Sequence, residues 1–160
     1  MMNKCWFRLS ALVLALVMLF AAVPAVRAEE GTLTISSAEE FLEFAESCTL
    51  DSWSRGKTVR LTADISLANT GFTPISTFGG TFEGDGHTIT GLEIIDTVAP
   101  AGLFARLQTG AVVRNLNLEG SVCPDGEKTD VGGLAGVNSG TVENCTFTGT
   151  VSGKRNVGGL

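Results

Sequence analysis

The sequence predicts an all-β solenoid, a stack of short parallel strands wound into coils, and three observations carry that expectation. First, a four-residue cassette recurs as Asp64-Ile65-Ser66-Leu67, Gly91-Leu92-Glu93-Ile94, Asn115-Leu116-Asn117-Leu118 and Asn144-Cys145-Thr146-Phe147. Its first position is Asp, Gly or Asn, the residues that tolerate a left-handed backbone, and its second and fourth positions are apolar. Second, the copies begin 27, 24 and 29 residues apart, a period at which repetition means stacked supersecondary units. Third, in the last three copies an apolar residue (Ile89, Val113, Val142) sits two before the bend, and the next one follows one after it (Leu92, Leu116, Cys145). Strict alternation would put that residue at the bend itself. A one-residue slip of this kind lets a strand turn a corner with both arms facing inward. Gly91, Asn115 and Asn144 are therefore expected at equivalent left-handed corners. Asn115 and Asn144 should lie one above the other, their amides bonded along the stack as in a cross-β ladder.

Residues 1–28 read as a signal peptide. Lys4 and Arg8 form a basic start, Leu9 to Ala22 an apolar run, and Val26-Arg27-Ala28 a small-residue cleavage site after Pro24. The alternative is a retained anchor, against which the run falls short of the ~20 residues that a membrane span needs. Cys5 precedes the apolar run and so cannot be a lipid-attachment cysteine. Removal of the segment takes Lys4, Arg8 and Arg27 and leaves eight Lys plus Arg against seventeen Asp plus Glu, a charge near −9. Such a surface disfavours nucleic acid and anionic membranes, which need clustered basic residues. Three cysteines remain, Cys48, Cys123 and Cys145, too few and too odd in number for a disulfide framework. Cys48 and Cys145 fall at apolar positions, while a Cys123 bond to a neighbour stays open.

Residues 29–57 form a cap region in this reading. Ser36 and Ser37 precede Glu39 and Glu40 at capping-box spacing, and Ala38, Phe41, Leu42, Ala45 and Cys48 recur at helical intervals. The amphipathic helix they predict would cover the first apolar rung of the stack. After Trp53 and a polar turn, Ser54-Arg55-Gly56-Lys57, the pattern changes to alternation at Val59, Leu61, Ala63, Ile65 and Leu67. Residues 58–160 carry strand-and-turn grammar throughout. A second element, Gly80-Thr81-Phe82, Gly102-Leu103-Phe104, Gly133-Leu134-Ala135 and Gly159-Leu160, is expected to form another side of each coil. The segment from Cys123 to Asp130 reads as an external loop that accounts for the longest spacing. Leu160 falls partway into a coil, so the chain is expected to be a fragment with an open C-terminal edge prone to self-association.

The run Val131-Gly132-Gly133-Leu134-Ala135-Gly136-Val137-Asn138-Ser139-Gly140-Thr141-Val142-Glu143-Asn144-Cys145, followed by a fresh Val157-Gly158-Gly159-Leu160, resembles the GLUG repeat of bacterial exported proteins. Phe82 to Leu92 is similar to the coil that precedes such repeats. The resemblance covers roughly residues 58–160. It implies a right-handed parallel β-helix in large surface or secreted proteins, including adhesin-like chains and non-catalytic N-terminal parts of some immunoglobulin-cleaving metallopeptidases. It implies no catalytic residues.

The chemistry looked for in the residues themselves is sparse. His87 is the only histidine, which excludes a multi-histidine metal site and leaves any Ser-His-Asp triad dependent on it. Its Gly-Asp-Gly-His-Thr setting favours an exposed or ladder-stacked turn residue over a general base. Glu83 and Asp85 are the candidate carboxylate pair of a carbohydrate-cleaving β-helix, but they flank Gly84 and precede Gly86, which is turn grammar. Asp125, Glu127 and Asp130 could present oxygens to calcium, although Lys128 opposes this and the order of ligands is not that of an EF-hand. Asn144-Cys145-Thr146 is a glycosylation sequon that the corner role of Asn144 already explains. The outward cassette positions, Ser66, Glu93, Asn117 and Thr146, make a mostly neutral row.

These readings converge on a non-enzymatic exported module, secreted or at the cell surface, with a structural or adhesin-like role and a protein or glycan partner. It would use no cofactor and no metal. The alternatives are a carbohydrate-active β-helix enzyme and the N-terminal part of a metallopeptidase-like protein.

Overall fold

The computed structural model describes residues 31–95 and 99–160. The signal peptide expected over residues 1–28 lies outside them. Among the described residues, thirteen strands and one helix form a parallel β-solenoid of about four turns. One sheet stacks β1 (Thr32–Ile35), β2 (Thr58–Leu61), β4 (Thr81–Glu83), β7 (Val112–Arg114) and β11 (Thr141–Glu143), in that order and all in parallel. A second stacks β3 (Ile65–Ser66), β5 (Thr88–Ile94), β8 (Asn117–Val122) and β12 (Thr146–Val151). A third pairs β6 (Phe104–Leu107) with β10 (Ala135–Asn138), and isolated bridges from Ile75 and Phe78 extend it by one coil. The fourth pairs β9 (Thr129–Gly132) with β13 (Arg155–Gly158).

Inward residues stack into rows, because successive side chains of a strand alternate between faces. Val59, Phe82, Val113 and Val142 make one row, and Ile65, Ile89, Leu118 and Phe147 another. The first three members of each row are buried, whereas Val142 and Phe147 are half-buried at the last coil.

The observed register corrects the repeat alignment. Ile65, Ile89, Leu118 and Phe147 are true equivalents, 24, 29 and 29 residues apart, so the first two cassettes were offset from the last two. Asn115 and Asn144 do share a corner, at φ 55° and 49°. Gly91, at φ 70°, does not. It forms a bulge inside β5, where the pairing with β8 shifts between Ile89 and Leu92. A bulge and a corner produce the same one-residue slip in an apolar pattern, so the sequence did not separate them. The matching corner one coil earlier is the turn at Asp85 and Gly86, φ 50° and 82°.

Two further expectations change. Gly80-Thr81-Phe82 belongs to the first sheet, as Thr81 pairs with Val112, and not with the Gly-Leu elements of the third. Gly102-Leu103-Phe104 and Gly133-Leu134-Ala135 do stack as expected. The segment after Cys123 is tied at its start to the coil before, with Cys123 N–H donating to Ile94 O (2.9 Å) and Asp125 N–H to Ile95 O (2.8 Å). Val122 and Val131 are nine positions apart, against seven for Ile94 and Ala101 in the coil before and six for Val151 and Val157 in the coil after, so the longer external connection stands as expected, except that its last two residues belong to β9.

The helix α1 spans Ala38–Ser47. Ser37 caps it, accepting from Glu40 N–H at 3.2 Å, while the Glu40 carboxylate accepts from Ser36 N–H at 2.7 Å. Phe41 and Phe44 are buried beneath the first coil. Phe41 packs on Phe72 (5.8 Å between ring centres), and Phe44 on Phe78 (5.9 Å) and Phe82 (5.8 Å). The helix thus closes the stack from below. A strand, β1, precedes it and pairs with β2, so the first sheet begins within the segment read as cap region.

Candidate functional site

The outer face of the first sheet carries a column of alternating charge. Arg60, Glu83, Arg114 and Glu143 each follow an inward residue, and the register sets them side by side. Glu83 is 4% exposed. It accepts from Arg114 Nε, from Asn115 Nδ2 at 2.7 Å and from the Asp85 backbone N–H at 3.3 Å. Burial pushes its carboxyl up, but the bonds from Asn115 and Arg114 outweigh this and hold it below the ordinary glutamate value. Asp85 pairs with Arg60 at 3.1 Å. Glu83 and Asp85 thus each face an arginine of a neighbouring coil. A general acid needs a raised pKa, and Glu83 is shifted the opposite way.

The asparagine ladder continues from this column. Asn144 Nδ2 donates to Asn115 Oδ1 at 3.3 Å, while Asn115 donates onward to Glu83. His87 Nδ1 lies 3.2 Å from Asp64 Oδ1, which also accepts from Thr88 N–H at 2.9 Å. These two bonds, the backbone one foremost, hold Asp64 below the usual aspartate range. His87 is therefore tied to the coil beneath it.

The three carboxylates weighed for calcium serve separate purposes. Asp130, at φ 60°, accepts from Asn156 Nδ2 at 2.7 Å, repeating the corner ladder between β9 and β13. Glu127 pairs with Lys154, and Asp125 sits in the turn. Among the described residues no group of three or more His, Cys, Asp or Glu side chains is placed to hold a metal ion. Cys48, Cys123 and Cys145 are all free. Burial pushes the Cys48 thiol up to about 12, while a hydrogen bond with Ser121 lowers that of Cys123.

The second sheet faces outward with Asp64, Thr88, Asn117 and Thr146 in one column and Glu93, Ser121 and Thr150 in another. The neutral row read from the cassettes is thus composed differently, because the register shifted, but its hydroxyl-rich character remains.

Sequence reasoning missed a groove between the turn after α1 and the outer side of β6. Arg55, Thr77, Arg106, Gln108, Thr109 and Ser139 line it, and its volume is about 400 Å³. These residues are far apart in the chain. Only the stacking of coils brings them together.

The arrangement defines a repeat-built parallel solenoid whose polar outer side chains serve chiefly to stack one coil on the next. Residues 129–152, which run from β9 to the end of β12, match the family model described as the GLUG motif. The matched residues include the run from Val131 to Cys145 that carries the resemblance to this repeat. It is 39% identical over 152 residues to a segment of halomucin from the archaeon Haloquadratum walsbyi, covering 81% of this chain. The chain spans about 2% of halomucin's length. No solved structure matches the chain at a significant level.

Proposed function

We propose that this chain is an exported, non-enzymatic repeat module of a large surface protein, with a structural or adhesin-like role. The observation that carries the reading is the engagement of Glu83, Asp85 and His87 in bonds between coils, which leaves the candidate acid, base and histidine acting as struts. The GLUG motif and the similarity to a short stretch of a much longer protein support a module within a large chain. The leader pattern of residues 1–28 supports export. The half-covered row Val142, Cys145, Phe147 and Val151 supports self-association of the 160-residue polypeptide through its last coil.

The test has two arms. Cells expressing the chain with its own leader are fractionated and treated externally with protease, and the expected result is a cleaved, extracytoplasmic product. Purified protein is then incubated with polysaccharides and followed for new reducing ends or unsaturated products, with none expected. Turnover abolished by Glu83→Gln or Asp85→Asn would replace this reading with a carbohydrate-active enzyme. Intracellular retention would refute export.

A further inference from the structure

The groove beside β6 brings together two of the four cations that have neither an ion pair nor a ring contact among the described residues; the other two, Lys128 and Arg155, lie outside it. Elsewhere Arg60 pairs with Asp85, Arg114 with Glu83 and Lys154 with Glu127, and Lys57 sits 3.5 Å from the centre of the Trp53 ring. Arg55 and Arg106 share one groove, and neither has an acidic side chain within ion-pair distance among the described residues. On a chain with a net charge of −6 this is not for want of carboxylates.

The groove is also braced. Gln108 accepts from Arg55 Nε at 2.8 Å and donates to Asp51 O at 3.0 Å and Thr77 Oγ1 at 2.9 Å. That amide holds Arg55 in place, and the two terminal nitrogens of its guanidinium make no side-chain hydrogen bond among the described residues. Gly79 makes the brace possible, since a Cβ there would lie 2.6 Å from Gln108 Oε1 and 3.0 Å from Arg55 Cγ. The groove crosses three coils, with Phe78 N–H donating to Arg106 O and Ser139 N–H to Leu107 O, both at 3.0 Å. Thr77, Thr109 and Ser139 add hydroxyls along its length.

We propose that this groove binds a uronic-acid-containing oligosaccharide, an inference that rests on the reading of the chain as a surface binding segment. A planar guanidinium matches a carboxylate in two parallel hydrogen bonds, and two of them anchor the acid group. The Thr109 and Ser139 hydroxyls suit the ring hydroxyls of a sugar. The volume falls within the roughly 300–1,000 Å³ of small-molecule sites. Asp51 also lines the groove and opposes a dense polyanion, which favours a sugar with spaced carboxylates over a heavily sulfated one. The lining lacks the aromatic anchors on which protein partners depend.

Titration calorimetry of the purified chain with oligogalacturonate tests the proposal. Its methyl ester, a sulfated dextran and poly-glutamate serve as comparison probes. The expected result is binding to oligogalacturonate that weakens by about tenfold or more on esterification, in Arg106→Ala and in Arg55→Ala, as loss of a charge-assisted fork requires. Arg106→Lys, which keeps the charge without the fork, should weaken it less. Arg155→Ala, on β13 outside the groove, should bind as the parent does. Each variant is compared by circular dichroism, and Arg55→Gln replaces Arg55→Ala if the latter does not fold. Equal binding of the ester, undiminished binding by both arginine variants, or no binding of oligogalacturonate would overturn the proposal. Stronger binding of poly-glutamate or sulfated dextran would overturn it in favour of an acidic protein or a sulfated glycan. Because the assay does not depend on export, absent binding by a protein that is exposed on cells removes this proposal alone. Binding by a protein retained inside cells removes the surface reading alone.

Discussion

Replacing Glu83 with Gln removes the one carboxylate that the first sheet keeps almost wholly out of water. At neutral pH Glu83 accepts from Asn115 Nδ2 at 2.7 Å and from Arg114 Nε. A hydrogen bond to a charged acceptor contributes about 1.5–3 kcal/mol. The bond from Asn115, which is itself partly buried, belongs in that range. Arg114 is 47% exposed, so its ion pair counts as a surface one, about 0.2–1 kcal/mol. Together these give a loss of about 2–4 kcal/mol for Glu83→Gln, since one oxygen becomes an N–H group facing another donor. In urea unfolding followed by circular dichroism, with a slope of about 2 kcal/mol/M, that corresponds to a midpoint about 1–2 M lower. The sign of the pH dependence follows from the direction of the shift. The folded carboxyl titrates below its ordinary value of 4.5, so its stabilisation is fully present above that pH and is lost as pH falls through the folded value. The parent and the variant should therefore differ at pH 7 and converge in acid. Glu40 and Asp64 are also lowered, but both remain in the variant and cancel in the difference. A gap that stays constant as pH falls from about 7 to about 2.5 would refute the electrostatic account, and no gap at pH 7 would refute the strut.

Phe44→Ala should cost about 3–5 kcal/mol, because the ring is 2% exposed and meets four other aromatic rings where the helix closes the first coil; thermal unfolding measures it. Asn144→Val should cost about 1–2 kcal/mol, from a β-branched residue at φ 49° and loss of the bond to Asn115, whereas Asn144→Gly should cost less; chemical denaturation of the pair separates backbone strain from the ladder. Cys123 should react with iodoacetamide in the folded protein, and Cys48 only after denaturation, as peptide mapping by mass spectrometry would show. Labelling of Cys48 at the Cys123 rate would contradict its burial.

The solenoid was legible because its coils repeat. An apolar residue beside Asn or Gly, returning at a near-constant interval, records a local event, a turned corner, and local events leave local signals. The helix was legible for the same reason, through Ser37, Glu40 and the spacing of Phe41 and Cys48. Asn115 over Asn144 followed from the same pattern. The alignment of the earlier coils did not. Two extra residues at the Asp85-Gly86 turn and one more at the Gly91 bulge displace this coil against the next, and apolar periodicity does not distinguish a bulge from a bend. Only hydrogen-bonded register showed that Ile89, and not Leu92, stacks on Ile65.

The sequence alone determined the fold class, the capping helix, the left-handed corners at Asn115 and Asn144, and the dependence of any histidine chemistry on His87, since each depends on neighbours in the chain or on composition. The tertiary structure decided what the polar side chains do. Arg60, Glu83, Arg114 and Glu143 become a charge column, and Arg55, Arg106 and Gln108 become one groove, through stacking between residues tens of positions apart. The distance between coils is fixed by strand pairing at about 4.8 Å. Which side chains it brings face to face depends on the cumulative length of every turn between them, and that length sums over the whole coil and is written at no single position.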